Sequence, residues 1–482
     1  MMNYIMRGHE FTNEVQTAIQ IFFQNEKYTR IDIPAEEGLT IETLLIRTCF
    51  IVMLYENGQN IFVRSFDKQK GTPEDFNRWL VKKGVYETLK EATGIRPAWG
   101  MLTGIRPAKK ANELMDEGLK SDEVITHLVE KFDVTREKAE LTVEVALAER
   151  EILGSIKKDD IGIYIGIPFC PTRCLYCSFA SYPLDKYEKK VDSYIDCLIK
   201  EIEYLGKYSK DKNIRNIYIG GGTPTSLNEE RLERVLKAVE ANFDVKNVGE
   251  YTVEAGRPDT ITKEKLDIIK KYGADRISIN PQTMCEKTLS LIGREHTPGQ
   301  IKEAFAMARE AGFENINMDI ILGLPGETEN ELKITLDEIK GLSPDSLTVH
   351  TLAVKRASKL KEELENIELT NAAVTENMLK ISAEAAKELG MKPYYMYRQK
   401  NMVGNFENVG YCMPGKECLY NVDIMEEKLT ILAAGAGATT KVYESENNHI
   451  YRIYNVKSLD DYITRIDEMI ERKINDLPKE GK

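Results

Sequence analysis

The run Gly166-Ile167-Pro168-Phe169-Cys170-Pro171-Thr172-Arg173-Cys174-Leu175-Tyr176-Cys177 carries three cysteines in one tight loop. It follows an apolar stretch, residues 161–167, that reads as a buried strand. The spacing Cys-x3-Cys-x2-Cys presents Cys170, Cys174 and Cys177 as three thiolates from one short piece of chain. Each iron of a four-iron cubane takes one thiolate, so three cysteines leave one iron open for another ligand. Structural zinc is the competing reading, but such sites want four ligands, usually as two separated cysteine pairs. No second pair follows here, which favours the cluster.

Outward from this loop, the chain alternates between strand and helix patterns. Candidate strands cover 161–167, 214–219, 250–254, 276–280, 315–322 and 346–352. Helical stretches lie between them at 186–206, 228–242, 263–272, 297–311 and 328–340. Such alternation predicts parallel strands with crossover helices, whose functional residues gather at the C-terminal ends of the strands. The fold class expected is α/β, with an N-terminal α+β unit over 1–155, the alternating unit over 156–365, and a small C-terminal α+β unit over 366–482 that covers substrate. In the N-terminal unit, 12–24 reads as an amphipathic helix. Residues 41–53 and 60–66 read as paired strands around a turn at 56–58, with helices over 73–92 and 122–153. A short echo, Thr93-Gly94-Ile95-Arg96-Pro97-Ala98 and Thr103-Gly104-Ile105-Arg106-Pro107-Ala108, reads as two loop-to-helix turns, or as two arginines that meet carboxylates. Near the C-terminus, helices are expected over 369–389 and 459–472, on either side of a mixed stretch at 392–454.

Bulk composition narrows the partners. Of 482 residues, 42% are hydrophobic and 30% charged, as in ordinary globular proteins. The formal net charge of -12 disfavours nucleic acid and anionic membrane surfaces. No apolar run approaches the roughly 20 residues of a membrane span, and residues 1–10 lack a signal-peptide layout. A cytoplasmic location is the expectation. Eight cysteines in so long a chain do not describe a disulfide framework.

Several polar residues fall at the predicted strand ends. Gly220-Gly221-Gly222-Thr223-Pro224-Thr225 follows a strand and precedes a helix, where glycines let the backbone approach a ligand closely. No Gly-Lys-Ser/Thr closes it, so it is not a nucleotide phosphate loop. Glu254 ends the next strand and Gln282 follows the one after, while Asp319 interrupts an otherwise apolar strand and must be paired if buried. For Glu254 the bland reading is a solvated or ion-paired strand end, but the arrival of Gln282 and Asp319 at equivalent positions favours a functional one. Cys49, Cys197 and Cys285 fall on packing positions. Cys412 and Cys418 form a Cys-x5-Cys loop that is either a redox or partial metal site or two incidental thiols.

The cysteine loop, with Tyr164, Ile167, Pro168, Phe169 and the Gly220–Thr225 run, resembles the radical S-adenosylmethionine (SAM) superfamily. Within it the chain is similar to the subgroup of oxygen-independent coproporphyrinogen III oxidases and heme chaperones. The whole layout looks most like the coproporphyrinogen dehydrogenases of Gram-positive bacteria. The motifs span about residues 160–445. The resemblance implies a partial (β/α)6 barrel, with a [4Fe-4S] cluster on Cys170, Cys174 and Cys177 and SAM chelated at the open iron. A reduced cluster then cleaves the SAM C–S bond to a 5′-deoxyadenosyl radical. It further implies SAM contacts from Tyr164, Gly221, Gly222, Thr223, Glu254, Gln282, Asp319 and Ala353, and a second SAM site aided by Arg294. The loop Gly323–Gly326 would line the same rim, and Gly435-Ala436-Gly437-Ala438 would lie near substrate.

The implied reaction is oxidative decarboxylation of two propionates of coproporphyrinogen III to vinyls, giving protoporphyrinogen IX in heme biosynthesis. A reductant protein such as flavodoxin or ferredoxin would act as partner. A four-carboxylate substrate calls for cationic side chains, with Arg173, Arg257 and Arg398 as candidates by position. Phe179 stands where proteobacterial oxidases carry a fourth cysteine, and heme chaperones also have Phe there. The alternative is therefore a heme-binding chaperone on the same fold.

Overall fold

The structure is a computed structural model that describes residues 2–23, 27–68, 73–179, 181–355, 358–362, 370–399 and 402–478. Two compact units emerge, Met1–Val143 with Arg398–Phe406, and Glu144–Tyr397 with Glu407–Lys482.

The first unit is built on a five-stranded sheet of β1 (Met2–Arg7), β2 (Tyr28–Arg30), β3 (Leu39–Leu45), β4 (Cys49–Glu56) and β5 (Gln59–Asp67), in the order β2-β1-β3-β4-β5. The strand expected over 41–53 is two antiparallel strands, and β1, absent from the sequence reading, lies between β2 and β3. Its first five residues are all buried, so it lacks the alternation that betrays a half-exposed strand. The helix expected over 12–24 runs Thr12–Phe22, and residue 24 lies outside the described residues. It packs with helix Glu74–Thr93 on a core of Val15, Ile19, Phe50, Val81 and Val85. In the echo, Arg96 does meet a carboxylate, with Nη2 3.2 Å from Asp133 Oδ1.

The second unit holds a single eleven-stranded sheet. In chain order β6 (Asp160–Ile167) is followed by a separate two-stranded sheet, β7 (Phe169–Cys170) and β8 (Tyr182–Pro183), and the large sheet goes on with β9 (Asn213–Gly221), β10 (Glu250–Glu254), β11 (Arg276–Ser278), β12 (Asn315–Leu322) and β13 (Ser346–Thr351). β14 (Lys392–Arg398), β15 (Glu407–Cys412), β16 (Thr430–Ala434), β17 (Thr439–Glu444) and β18 (His449–Tyr454) complete it. All six strands expected from the alternation are present and run parallel, β6-β9-β10-β11-β12-β13. Side-chain caps start the crossover helices where the strand-end loops stop. Asn228 accepts from Arg231 N at 3.0 Å and Thr262 from Lys265 N at 3.2 Å, while Thr297 with Gln300 and Thr328 with Glu331 form capping boxes.

The stretch 392–454, read from sequence as part of a separate C-terminal unit, instead continues this sheet at both ends. β16 runs parallel beside β6, and β15 runs antiparallel beside β13. The six parallel strands leave two edges with unpaired amides and carbonyls, and these added strands satisfy them. The helix expected over 369–389 is Ala372–Glu388, with residue 369 outside the described residues. The last helix, Ile466–Asp476, is tied down by Lys473. Its Nζ lies 2.6 Å from Glu201 Oε1, and both side chains are wholly buried.

Candidate functional site

Parallel pairing puts the C-terminal ends of β6 and β9 through β13 along one rim. The cysteine loop leaves β6 there and is held from several sides. Leu175 N donates to Ile292 O at 3.0 Å, Thr172 Oγ1 to Gly293 O at 3.2 Å, and Leu360 N to Leu175 O at 2.9 Å. Cys170 and Cys174 are buried, Cys177 is half-buried, and none is in a disulfide. Burial pushes the Cys170 thiol up to about 11, opposed by a bond with Thr223 Oγ1 at 3.6 Å. Burial raises Cys177 as well, while the Phe179 amide favours its thiolate.

Among the described residues, no three His, Cys, Asp or Glu side chains already converge to metal-coordinating geometry. The donor set itself is purely thiol, with Arg257 Nη1 3.7 Å from Cys174 Sγ to offset thiolate charge. Soft sulfur ligands beside a guanidinium fit an iron–sulfur cluster.

The glycine loop is adjacent. Gly222 N donates to Ile167 O at 2.8 Å and Thr223 N to Phe169 O at 2.7 Å, which splices this loop to the strand that carries Cys170. A Cβ on Gly222 would stand 2.5 Å from Phe169 O and 2.9 Å from Pro168 C, both backbone atoms. Gly222→Ala is therefore expected to cost about 1–3 kcal/mol and to lower iron retained after anaerobic reconstitution. Gly341→Ala, whose Cβ meets nothing within 4 Å, should leave iron unchanged.

Glu254 and Asp319 reach the same rim with opposite electrostatics. Burial pushes the Glu254 carboxyl up to about 7, and Asp319 adds to the shift. Bonds from the Tyr218 hydroxyl and from Gly221 N at 3.2 Å oppose it. Burial also opposes ionisation of Asp319, but His350 Nε2 at 3.7 Å and Asn317 Nδ2 at 2.7 Å hold it below its ordinary range. Divergent environments of this kind give two carboxylates different roles.

Gln282 is buried with φ +65, which a non-glycine residue adopts only when neighbours impose it. Its N–H donates to Asp319 O at 2.9 Å and its carbonyl accepts from Ile321 N at 3.0 Å. Its Oε1 is buried with no hydrogen-bond partner among the described residues. Tyr164 stacks on Tyr420 at 5.9 Å, and Ala353 is half-buried just past β13. Arg294 is buried and gives its two terminal nitrogens to the carbonyls of Asn280 and Gly256.

Two of the arginines considered for substrate carboxylates are otherwise engaged. Arg257 makes a two-point pair with Asp259 at 3.0 and 2.9 Å and donates to Thr172, so it braces the cysteine loop. Arg398 belongs to the first unit, where it lies 5.1 Å over the Trp99 ring and donates to Leu102 and Asn405 carbonyls. Arg173 sits near Cys177. Cys412 and Cys418 are buried in an apolar cluster with Tyr394, Tyr395 and Val422, and Cys418 Sγ donates to Glu250 Oε1 at 3.2 Å.

A polar ladder across the strands escaped the sequence reading. Ser278, Asn280, Asn317, Asp319, Ser346 and Thr348 hydrogen-bond both along and across the strands, for example Ser346 Oγ and Thr348 Oγ1 to Asn317 Oδ1, each at 3.1 Å. The available signal was polar residues at i, i+2 and i+4 in strands that otherwise read as apolar.

Comparison with known proteins gives the family of the chain. The Radical SAM superfamily profile matches residues 164–339. The chain is 41% identical over 82% of its length to the oxygen-independent coproporphyrinogen-III oxidase-like protein HemZ of Bacillus subtilis (strain 168), covering 80% of that protein. It is 36% identical to the heme chaperone HemW of the same organism, over 40% of this chain and half of HemW. In fold it is similar to the coproporphyrinogen III oxidase HemN of Escherichia coli, described as a radical SAM enzyme. The TM-score is 0.53 at 22% identity, over 67% of this chain and 73% of that one. The chain belongs to the radical SAM superfamily, among the oxygen-independent coproporphyrinogen-III oxidase-like proteins. Members of that superfamily use a [4Fe-4S] cluster and S-adenosylmethionine. Among the described residues, no helix is long and apolar enough to cross a membrane.

Proposed function

We propose that this chain is an oxygen-independent coproporphyrinogen III dehydrogenase that converts two propionates to vinyls. The observation that carries the reading is the rim itself. The thiol loop, the glycine loop, Glu254, Gln282 and Asp319 come from successive strands to one edge, in a chain alignable with HemZ over most of its length. Cys170, Cys174 and Cys177 would hold the cluster. The Gly221–Thr223 backbone and Glu254 would hold the SAM ammonium, with Tyr164, Gln282, Asp319, Ala353 and Arg294 around the rest. When bound, cluster and SAM supply a hydrogen-atom abstractor strong enough for an unactivated propionate C–H bond. The protein's part is to orient that carbon against the bond and exclude water.

Anaerobic incubation with coproporphyrinogen III, SAM and a reductant, followed by mass analysis, tests the reading. Loss of two carbon dioxides with their paired hydrogens is expected, and tetrapyrrole recovered at unchanged mass would reject it. A second reading, a heme chaperone, draws on Phe179. This side chain is 67% exposed two residues past Cys177, where it offers an apolar face to a flat macrocycle. Stoichiometric heme binding without a vinyl product would favour it.

A further inference from the structure

Tyr164, Tyr218 and Tyr420 form a stack beneath the rim. Register places Tyr164 of β6 directly opposite Tyr218 of β9, with ring centroids 6.4 Å apart at 16°. Tyr420 comes from the distant C-terminal segment and lies 4.2 Å from Tyr218 at 21°. It sits in the first turn of helix Leu419–Glu426, which is fixed at its start and in its middle. Leu419 N donates to Glu250 Oε2 at 2.8 Å, and Asp423 Oδ2 accepts from Arg215 Nε at 2.9 Å and Asn216 Nδ2 at 2.7 Å. Above the stack, the Tyr218 hydroxyl donates to Glu254 Oε1 and Gly221 N donates to Oε2. A Cβ on Gly220 would stand 2.7 Å from the Tyr218 ring and 2.9 Å from the Glu254 carboxylate, so this pair also requires the glycine between them.

We propose that Tyr218, backed by the ring of Tyr420, is a positioning residue that holds the Glu254 carboxylate in line for the sulfonium cofactor. The proposal rests on the reading that Glu254 contacts SAM. The C-terminal segment thereby becomes part of the cofactor site through one aromatic contact, without touching the cofactor. The charged and titratable groups that face Glu254 are Tyr218, Asp319, Arg276, Tyr164 and Tyr420. Of these, Tyr218 is the one that donates a hydrogen bond to it. Because that bond favours the ionised carboxylate, its removal must move ionisation to higher pH.

Tyr218→Phe removes the hydroxyl and keeps the ring. SAM affinity is measured by anaerobic equilibrium dialysis across pH on protein with full cluster iron. Carboxyl protonation is followed by its infrared C=O band, assigned with Glu254→Gln. In the wild type, affinity should rise with pH through neutrality and level off above it. In Tyr218→Phe the rise should come at higher pH, with binding about tenfold weaker at pH values below both midpoints for each unit of displacement and iron unchanged. Tyr420→Leu, which removes the backing ring, should shift in the same direction as Tyr218→Phe. A merely structural role would lower thermal stability without moving the infrared midpoint. Unchanged affinity and midpoint in Tyr218→Phe would overturn the proposal alone. Failure of the iron-replete wild type to bind SAM would overturn it together with the reading beneath it.

Discussion

Replacing any one of Cys170, Cys174 or Cys177 with alanine is expected to abolish cluster absorbance and SAM cleavage together. Three thiolates are the whole cysteine supply of the loop, and each iron of a cubane other than the open one needs its own. The loop cannot recruit a substitute. The remaining cysteines lie elsewhere, with Cys418 bonded to Glu250 and Cys412 on β15 opposite Ser346. Iron and acid-labile sulfide per chain, measured after anaerobic purification, should fall to background in each variant. Cys412→Ala should retain full iron. Iron loss in that variant would show that the ligand set has been misassigned, and zinc in place of iron and sulfide in the wild type would remove the basis for radical chemistry.

The second large effect is on folding. Lys473→Ala is expected to cost about 3–5 kcal/mol, because it strands the Glu201 charge in the interior. Glu201 lies on helix Val191–Tyr208, where Oε1 accepts from Lys473 Nζ at 2.6 Å and Asn455 Nδ2 at 2.8 Å. Oε2 accepts from Gly435 N at 2.8 Å and from the Tyr462 hydroxyl. The network thus clamps the Gly435–Ala438 turn against β6, where a Cβ on Gly435 would stand 2.6 Å from Gly166 O. Denaturant unfolding of Lys473→Ala, Glu201→Gln and the apolar double replacement Glu201→Leu/Lys473→Met separates the terms. The double variant should recover much of the loss, since no buried charge then remains unpaired. A Lys473→Ala cost under about 1 kcal/mol would mean that water reaches Glu201 and that the pair behaves like a surface one.

The parallel strands and the cysteine loop were legible because their signals are local. A run such as Ile-Gly-Ile-Tyr-Ile-Gly-Ile has one stable use, and three thiols within eight residues carry their own geometry. Glu254, Gln282 and Asp319 could be named from their places at strand ends, yet nothing local distinguished the ionisation of Glu254 from that of Asp319. That difference arises from surroundings assembled from distant segments: burial beside Asp319 raises Glu254, while His350 holds Asp319 down. Arg257 and Arg398 show the converse, since cations chosen by position proved to have partners that no spacing reveals.

By itself, the amino-acid order determined the alternating α/β core, the thiol trio and the glycine loop, since each depends on residues within a few positions of one another. Tertiary structure alone decided that residues 392–454 join the ends of the same sheet, that Tyr420 stacks beside Tyr164 and Tyr218, and that Lys473 neutralises Glu201. The reason is physical. Edge strands, stacked rings and buried ion pairs are chosen by whichever distant segment satisfies them best, and that choice exists only once the chain has closed upon itself.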